Sequence, residues 1–381
     1  VRYQTHREPR RSLSMIGFGY PSDPRTMSGY AASLADALRA DDLLAAEYSL
    51  RDLRPADVLR GSLRLRRQGR RIRPEVRRGW LWSDGGVELL SQRLTQRIEA
   101  AGDEGPFLQI GTLGRLDSLR ARHFMWTDMT IAQARRAGRF AVGEMSSRQL
   151  DTAERGQVET LAGAEAVFVN CGWARHSVIE DCGVEPSRVH VVFAGGNLGF
   201  PVLPAGPRRS SSILFVGRDW DRKGGPLLAD AFTRVHRELP HARLDVVGCR
   251  PDEVVPGMNV VGPLDPRNAA EATRLRELFL EAACLCHPAS FDPFPNVLVE
   301  AAWAGLPVVT LDTGSRSEAV VHGETGYLVS SPDPGKLADR MTQLLSDADA
   351  AFEMGRKARA RAEVHFSWDG IVQQIDEVVN G

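Results

Sequence analysis

The chain has 381 residues, 43% of them hydrophobic and 25% charged, with a formal net charge of −1. That length and balance predict a globular protein of two domains, and the near-zero charge gives no basis for a nucleic-acid partner. No apolar run approaches the roughly 18 residues of a membrane helix, and the opening stretch VRYQTHREPRRSLSM lacks the apolar centre of a signal peptide.

Five cysteines, at 171, 182, 249, 284 and 286, form no CxxC pair and no Cys/His set with zinc spacing. They fit a reduced, cytoplasmic protein, and no metal is expected. Cys284 and Cys286 stand two apart, which on a strand puts both on one face as core filler. Among 48 basic residues only Lys223, Lys336 and Lys357 are lysines, so a lysine in a loop of this chain stands out.

Residues 14–20, SMIGFGY, predict a strand. A loop with Pro21, Pro24, Ser28 and Gly29 follows, and Tyr30–Ala40 has helical composition. Strand, loop, helix is the unit of a doubly wound α/β fold. The loop is not GxGxxG, and no ribose-binding acid follows a second strand near 43–50, which disfavours a nicotinamide dehydrogenase. Residues 51–78 hold eleven arginines against Asp52, Asp57 and Glu75. Such a stretch is either a solvated face or a patch for an anionic acceptor or a membrane surface. A helix over 87–100, strands over 106–111 and 123–128, and a helix over 129–137 come next. Asp128 falls at the C-terminal end of its strand, the edge where open α/β sheets bind ligands.

The segment 201–212, PVLPAGPRRSSS, has linker composition. Then come a strand ILFVG, the loop RDWDRKGG, a helix over 226–238, strands at 244–248 and 260–262, and a helix over 270–280. In that loop Arg218 offers a fork of donors to phosphate oxygens, and Lys223 a mobile point charge.

The stretch 286–309, CHPASFDPFPNVLVEAAWAGLPVV, organises the second half. A strand over 283–287 leads into a loop broken by Pro293 and Pro295. A helix over 296–304 follows, stopped by Gly305 and Pro307, and then a strand over 306–311. Proline is tolerated at a helix start, so the helix begins near Pro295 with its free amides turned to the loop, a natural anion site. Asp292 precedes it and Glu300 lies about one turn inside. A continuous helix would hold these acids roughly 12 Å apart. The prolines break it, so Asp292 can fold back over the helix mouth. The arrangement suits a molecule with phosphates in its middle and hydroxyl-rich rings at both ends, one acid for a ribose diol and the other for a sugar hydroxyl.

This stretch resembles the E-x7-E donor motif of family 4 glycosyltransferases, in the form EGFPNVLLEAMAxGxPVV. The chain departs from it at Asp292, where Glu is usual, at Pro293 for Gly, and at Ala302–Trp303 for Met–Ala. Further matches are GVEPSRVHVV at 183–192, FVGRDWDRKG with Arg218 and Lys223 at the motif positions, Gly314 in a turn after Asp312, HGETGYLV at 322–329, and the closing helix HFSWDGIVQQIDEVVN with Ser367 as its cap. Where the family has PNGVD, residues 194–197 read AGGN, which puts any ligand contact of that turn in question.

The resemblance implies the GT-B architecture, α/β, with two Rossmann-like domains facing across a cleft. Residues 1–200 would bind the acceptor, 201–365 the nucleotide sugar, and the helix over 366–381 would pack back on the first domain. It implies a retaining, metal-independent glycosyltransferase with no cofactor beyond its nucleotide-diphosphate sugar. At the donor it places Gly29, Arg218, Lys223, Asp292, Asn296, Val297, Leu298 and Glu300. At the reacting centre it places Asp128, Asp292, Arg218 and Lys223, with Glu300 holding the ribose and Asp292 facing the sugar. The rivals are a sugar-nucleotide epimerase, a phosphorylase, or a non-catalytic sugar-nucleotide-binding protein. The base, sugar and acceptor are not legible. A cytoplasmic protein is expected, with peripheral membrane contact through 51–78 as an alternative.

Overall fold

The computed structural model describes residues 10–24, 29–52, 84–116, 120–138, 145–200, 202–265 and 267–381. Residues 53–78 of the arginine-rich stretch, and Ser28, lie outside the described residues. The chain divides into two compact units, Val1–Val192 with Ile371–Gly381, and Phe193–Gly370.

The first unit runs β1 (Leu13–Gly17), α1 (Tyr30–Ala40), β2 (Leu44–Ser49), α2 (Asp84–Ala101), β3 (Phe107–Ile110), β4 (His123–Thr127), α3 (Ile131–Ala137), α4 (Ser147–Gly163), β5 (Ala166–Val169), α5 (Gly172–Glu180) and β6 (Val189–Val191). Its strands are parallel, in the order β2-β1-β3-β4-β5-β6. β3 and β5 are buried along their whole length, as parallel strands covered on both faces must be. Helix starts follow local chemistry. Thr130 and Ser146 each form a reciprocal capping box, with Gln133 and Gln149, so α3 begins at Ile131, two residues later than 129.

The second unit runs β7 (Ser212–Val216), α6 (Gly225–Glu238), β8 (Arg243–Val247), β9 (Met258–Gly262), α7 (Ala269–Glu281), β10 (Cys284–His287), α8 (Asn296–Trp303), β11 (Val308–Leu311), α9 (Arg316–Ala319), β12 (Gly326–Val329), α10 (Pro334–Ser346), α11 (Ala348–His365) and α12 (Trp368–Asn380). The parallel order is β12-β11-β10-β7-β8-β9. Counted from β9, that is third, second, first, fourth, fifth, sixth, the dinucleotide-fold order, which reverses direction between β7 and β10. Phe215, Phe232, Leu244, Cys284, Cys286, Val309 and Met341 share its core. All five cysteines are buried and none forms a disulfide, and burial pushes the Cys284 thiol up to about 12, which keeps it inert.

From Ile371 onward α12 belongs to the first unit, where Arg122 Nη1 donates to Val379 O at 2.5 Å and the Arg11 amide to Asn380 Oδ1 at 3.1 Å. Ser367 Oγ accepts from the Gly370 amide at 3.2 Å, the expected cap.

The 201–212 segment departs from its linker composition. The division falls ahead of it, because Phe193 packs on Phe294 (6.1 Å) and Phe366 (5.4 Å) within the second unit. Arg208 is tied down, donating to Leu280 O at 2.8 Å, to Gly305 O at 2.6 Å and to Ala304 O at the same helix end. Burial lowers its guanidinium to about 10. Among the described residues no helix is long and apolar enough to cross a membrane.

Candidate functional site

Ligands of open α/β sheets sit beyond the strand ends at the point where strand order reverses. In the second unit that point lies between β7 and β10, paired through Leu214 and Leu285. The loops leaving them are 217–224 and 288–295. Gly224 makes their approach possible. It is left-handed, with φ 81°, and a Cβ there would stand 2.2 Å from Pro288 O. Gly225 is pressed against Trp220, to which a Cβ would come within 2.0 Å. With both side chains absent, Lys223 is carried to the β10 side, where Nζ donates to Asp292 Oδ2.

That ion pair is largely enclosed, its side chains 15% and 10% exposed. His287, the last residue of β10, is buried with Nε2 3.5 Å from Asp292 Oδ2. Burial pushes the imidazole down to about 4, so it is neutral at pH 7. Burial alone would push the Asp292 carboxyl up; His287 and Lys223 outweigh it and hold the group well below the usual carboxylate range. Burial lowers Lys223, and Asp292 restores part of the loss.

Arg316 completes the cluster. It is 1% exposed, donates from Nη1 to Thr313 O at 2.6 Å and from Nη2 to Ala289 O at 2.9 Å, and leaves Nε without a partner. Burial lowers its guanidinium, with Asp292 opposing, but an arginine stays protonated. Two enclosed cations therefore face one carboxylate and a neutral imidazole. One positive charge is left over, in a place where an unmatched charge is costly.

Asp292 is thus turned toward Lys223, where the sequence left it free to fold over the start of α8. That helix has Pro295 at its N-cap and no side-chain cap. Asn296 and Val297, half-buried, form its first turn. Leu298 is in the core, and its amide donates to Pro295 O at 3.0 Å, so it shapes the turn. Glu300 accepts from Asn197 Nδ2 at 3.5 Å. Burial pushes its carboxyl up to about 7, with Asn197 opposing. Arg218 is exposed at the start of the 217–224 loop. Gly314 has φ 62°, and a Cβ there would lie 3.2 Å from Arg316 Nη1. The AGGN turn serves packing: a Cβ on Gly195 would stand 2.4 Å from the Trp368 ring, and Trp368 Nε1 donates to Gly196 O at 2.9 Å.

Two sequence-predicted residues lie in the first unit. Gly29 caps α1 with φ 88°. Asp128 directly follows β4 and is half-buried. It lies near Tyr30, whose phenol is raised first by burial and then by the Asp128 charge. His287, Arg316 and Asn197 were not anticipated. A lone histidine closing an apolar strand was the available signal for the first; an arginine carries little signal in so arginine-rich a chain. Among the described residues no group of three or more His, Cys, Asp or Glu is placed to hold a metal ion.

Residues 210–347 match the family described as Glycosyl transferases group 1. Over 276 residues the chain is 29% identical to a D-inositol 3-phosphate glycosyltransferase of Gordonia bronchialis, covering 65% of this chain and 58% of that protein. Over 188 residues it is 32% identical to a phosphatidyl-myo-inositol mannosyltransferase of Mycobacterium leprae, covering 47% of this chain and 48% of the relative. The chain spans about half the length of these relatives. Sucrose-phosphate synthase from Thermosynechococcus elongatus superposes with a TM-score of 0.71 at 17% identity, over 97% of this chain and 98% of that one. Anabaena HepE in complex with UDP and glucose superposes with a TM-score of 0.67 at 17% identity, over 97% and 100%. At such identities the likeness bears on the fold. The matched segment carries Lys223, Asp292, Glu300 and Arg316 and is similar to the group 1 glycosyltransferases, and the two parallel sheets give the chain the two-domain, Rossmann-like GT-B fold.

Proposed function

We propose that the protein moves a sugar from a nucleotide-diphosphate sugar to an acceptor hydroxyl, with retention at the anomeric carbon and without a metal ion. The observation that carries this is the surplus positive charge enclosed at the β7–β10 switch point, where Lys223 and Arg316 outnumber Asp292. A diphosphate matches it in sign and place. The ammonium of Lys223 has three donors; Asp292 takes one, which leaves donors for a phosphate oxygen. The uncapped amides at Asn296 and Val297 and the exposed fork of Arg218 add to the same anion. Glu300, when ionised, accepts the ribose hydroxyls, and Asp292 faces the sugar. Asp128 of the first unit is assigned to the acceptor side.

In the transfer, the bond from the anomeric carbon to the diphosphate oxygen breaks and its electron pair leaves with the diphosphate. The acceptor oxygen forms the new bond, and its proton passes to the leaving diphosphate. Negative charge grows on the leaving group, so fixed cations beside it lower the barrier. The names of the relatives, and the HepE complex with UDP and glucose, support a nucleotide-sugar donor. Retention rests on the family resemblance.

The assay is release of nucleoside diphosphate from UDP-, GDP-, ADP- and dTDP-sugars, with candidate polyol acceptors and with or without EDTA. Release from one donor class, unchanged by EDTA, with the donor's anomeric configuration kept in the product, is expected. Inversion would overturn the retaining assignment. Interconversion of the donor sugar with no acceptor consumed would favour an epimerase.

A further inference from the structure

The loop that carries Asp292 is pinned from one neighbouring turn, residues 313–316. Ser315, fully buried, donates from Oγ to Pro293 O. Arg316 Nη2 donates to Ala289 O at 2.9 Å, while Nη1 holds Thr313 O at 2.6 Å. Thr313 Oγ1 reaches toward Ser290 O at 3.5 Å. These contacts fall on residues 289, 290 and 293 and so bracket Asp292 on both sides.

We propose that Ser315 and Arg316 are positioning residues which hold the backbone of the 288–295 loop so that Asp292 meets the transferred sugar. This rests on the donor-site reading above. The short side chain supplies the reason. Aspartate has a single methylene, so its carboxylate reaches a short way and searches little space. What the side chain lacks in reach, the backbone must supply as fixed placement. An arginine suits the task because its planar fork spans two carbonyls, one on each loop; a lysine offers one point. The clamp acts on the sugar step and leaves the nucleotide contacts of Glu300 untouched.

The test uses Arg316→Lys, which keeps the charge and loses the fork, and Ser315→Ala, a small change that removes the Pro293 bond. Two quantities are read on folded protein: the Kd of whichever of UDP, GDP, ADP and dTDP binds the unsubstituted protein most tightly, and kcat for release of that diphosphate from its sugar nucleotide. The expected result is a Kd within about twofold and a kcat lowered by about tenfold in Arg316→Lys and several-fold in Ser315→Ala, since small misplacements cost large factors in rate. Adding Asp292→Glu to either variant should restore part of kcat, because a longer acid tolerates a looser loop. Unchanged kcat in the folded variants, or Kd and kcat worsening in proportion, would overturn the proposal. If Arg316→Lys does not fold, Ser315→Ala with its Asp292→Glu partner decides alone. Lys223→Gln separates the two claims. If it abolishes binding while the clamp variants behave as wild type, only the clamp fails. If it too has no effect, the donor-site reading fails.

Discussion

At the scale of single residues, Glu300 carries chemistry that can be read by pH. Its carboxyl is raised from 4.5 to about 7 by burial, so the folded chain holds a proton there which the unfolded chain gives up between those values. Its contribution to stability is therefore greatest near pH 4.5 and is lost as pH rises through about 7. Glu300→Gln, neutral throughout, should raise Tm relative to wild type at pH 8, with the gain vanishing toward pH 4.5. Donor binding runs the other way, because only the ionised acid accepts two ribose hydroxyls. Affinity for an intact sugar nucleotide should fall up to about tenfold per unit below pH 7, and Glu300→Gln should flatten the profile; calorimetry across pH 5.5–8.5 reads both. The Lys223–Asp292 pair predicts a second effect. Lys223→Met strands a buried carboxylate and should cost about 3 kcal/mol or more in urea unfolding. Lys223 was legible because lysines are rare in this chain, and the acids because they sit in a punctuated motif. His287 and Arg316 were not, because burial and the loss of hydrogen-bond partners are properties of packing.

At the scale of elements, period and punctuation placed most strands and helices close to where they lie. α1 occupies Tyr30–Ala40 as expected, and α8 begins at Asn296 after its proline cap. Composition misled at 201–212, because proline, glycine and serine describe how a chain turns and not what it touches. Arg208 there closes the C-terminal carbonyls of α7 and α8. Arg208→Ala should lower stability by about 3 kcal/mol, against a few tenths for an untethered linker residue. A denaturant midpoint shift at constant slope measures it. Gly224→Ala is the corresponding test of loop approach. The left-handed φ and the 2.2 Å conflict with Pro288 O should separate the two loops and weaken nucleotide diphosphate binding more than overall stability.

At the scale of the whole molecule, two parallel sheets, six-stranded among the described residues, each reverse their strand order once, and the second does so beside the stretch that resembles a donor motif. The second unit was the more legible because its loops carry a few charges at punctuated positions, as the proposed nucleotide-diphosphate site would demand. The first unit offered only Asp128 and Gly29, since the acceptor site proposed there has no common chemistry to announce it. The central claim is that the enclosed cations at the β7–β10 switch point are there to receive a diphosphate. The most direct measurement is a thermal-shift titration of the whole chain with UDP, GDP, ADP and dTDP, in parallel with Lys223→Gln. One nucleotide should stabilise the wild-type chain by about 2.7 kcal/mol at 100 times its dissociation constant, and that gain should be lost in Lys223→Gln. No stabilisation by any of the four, or an equal shift in the variant, would contradict the account.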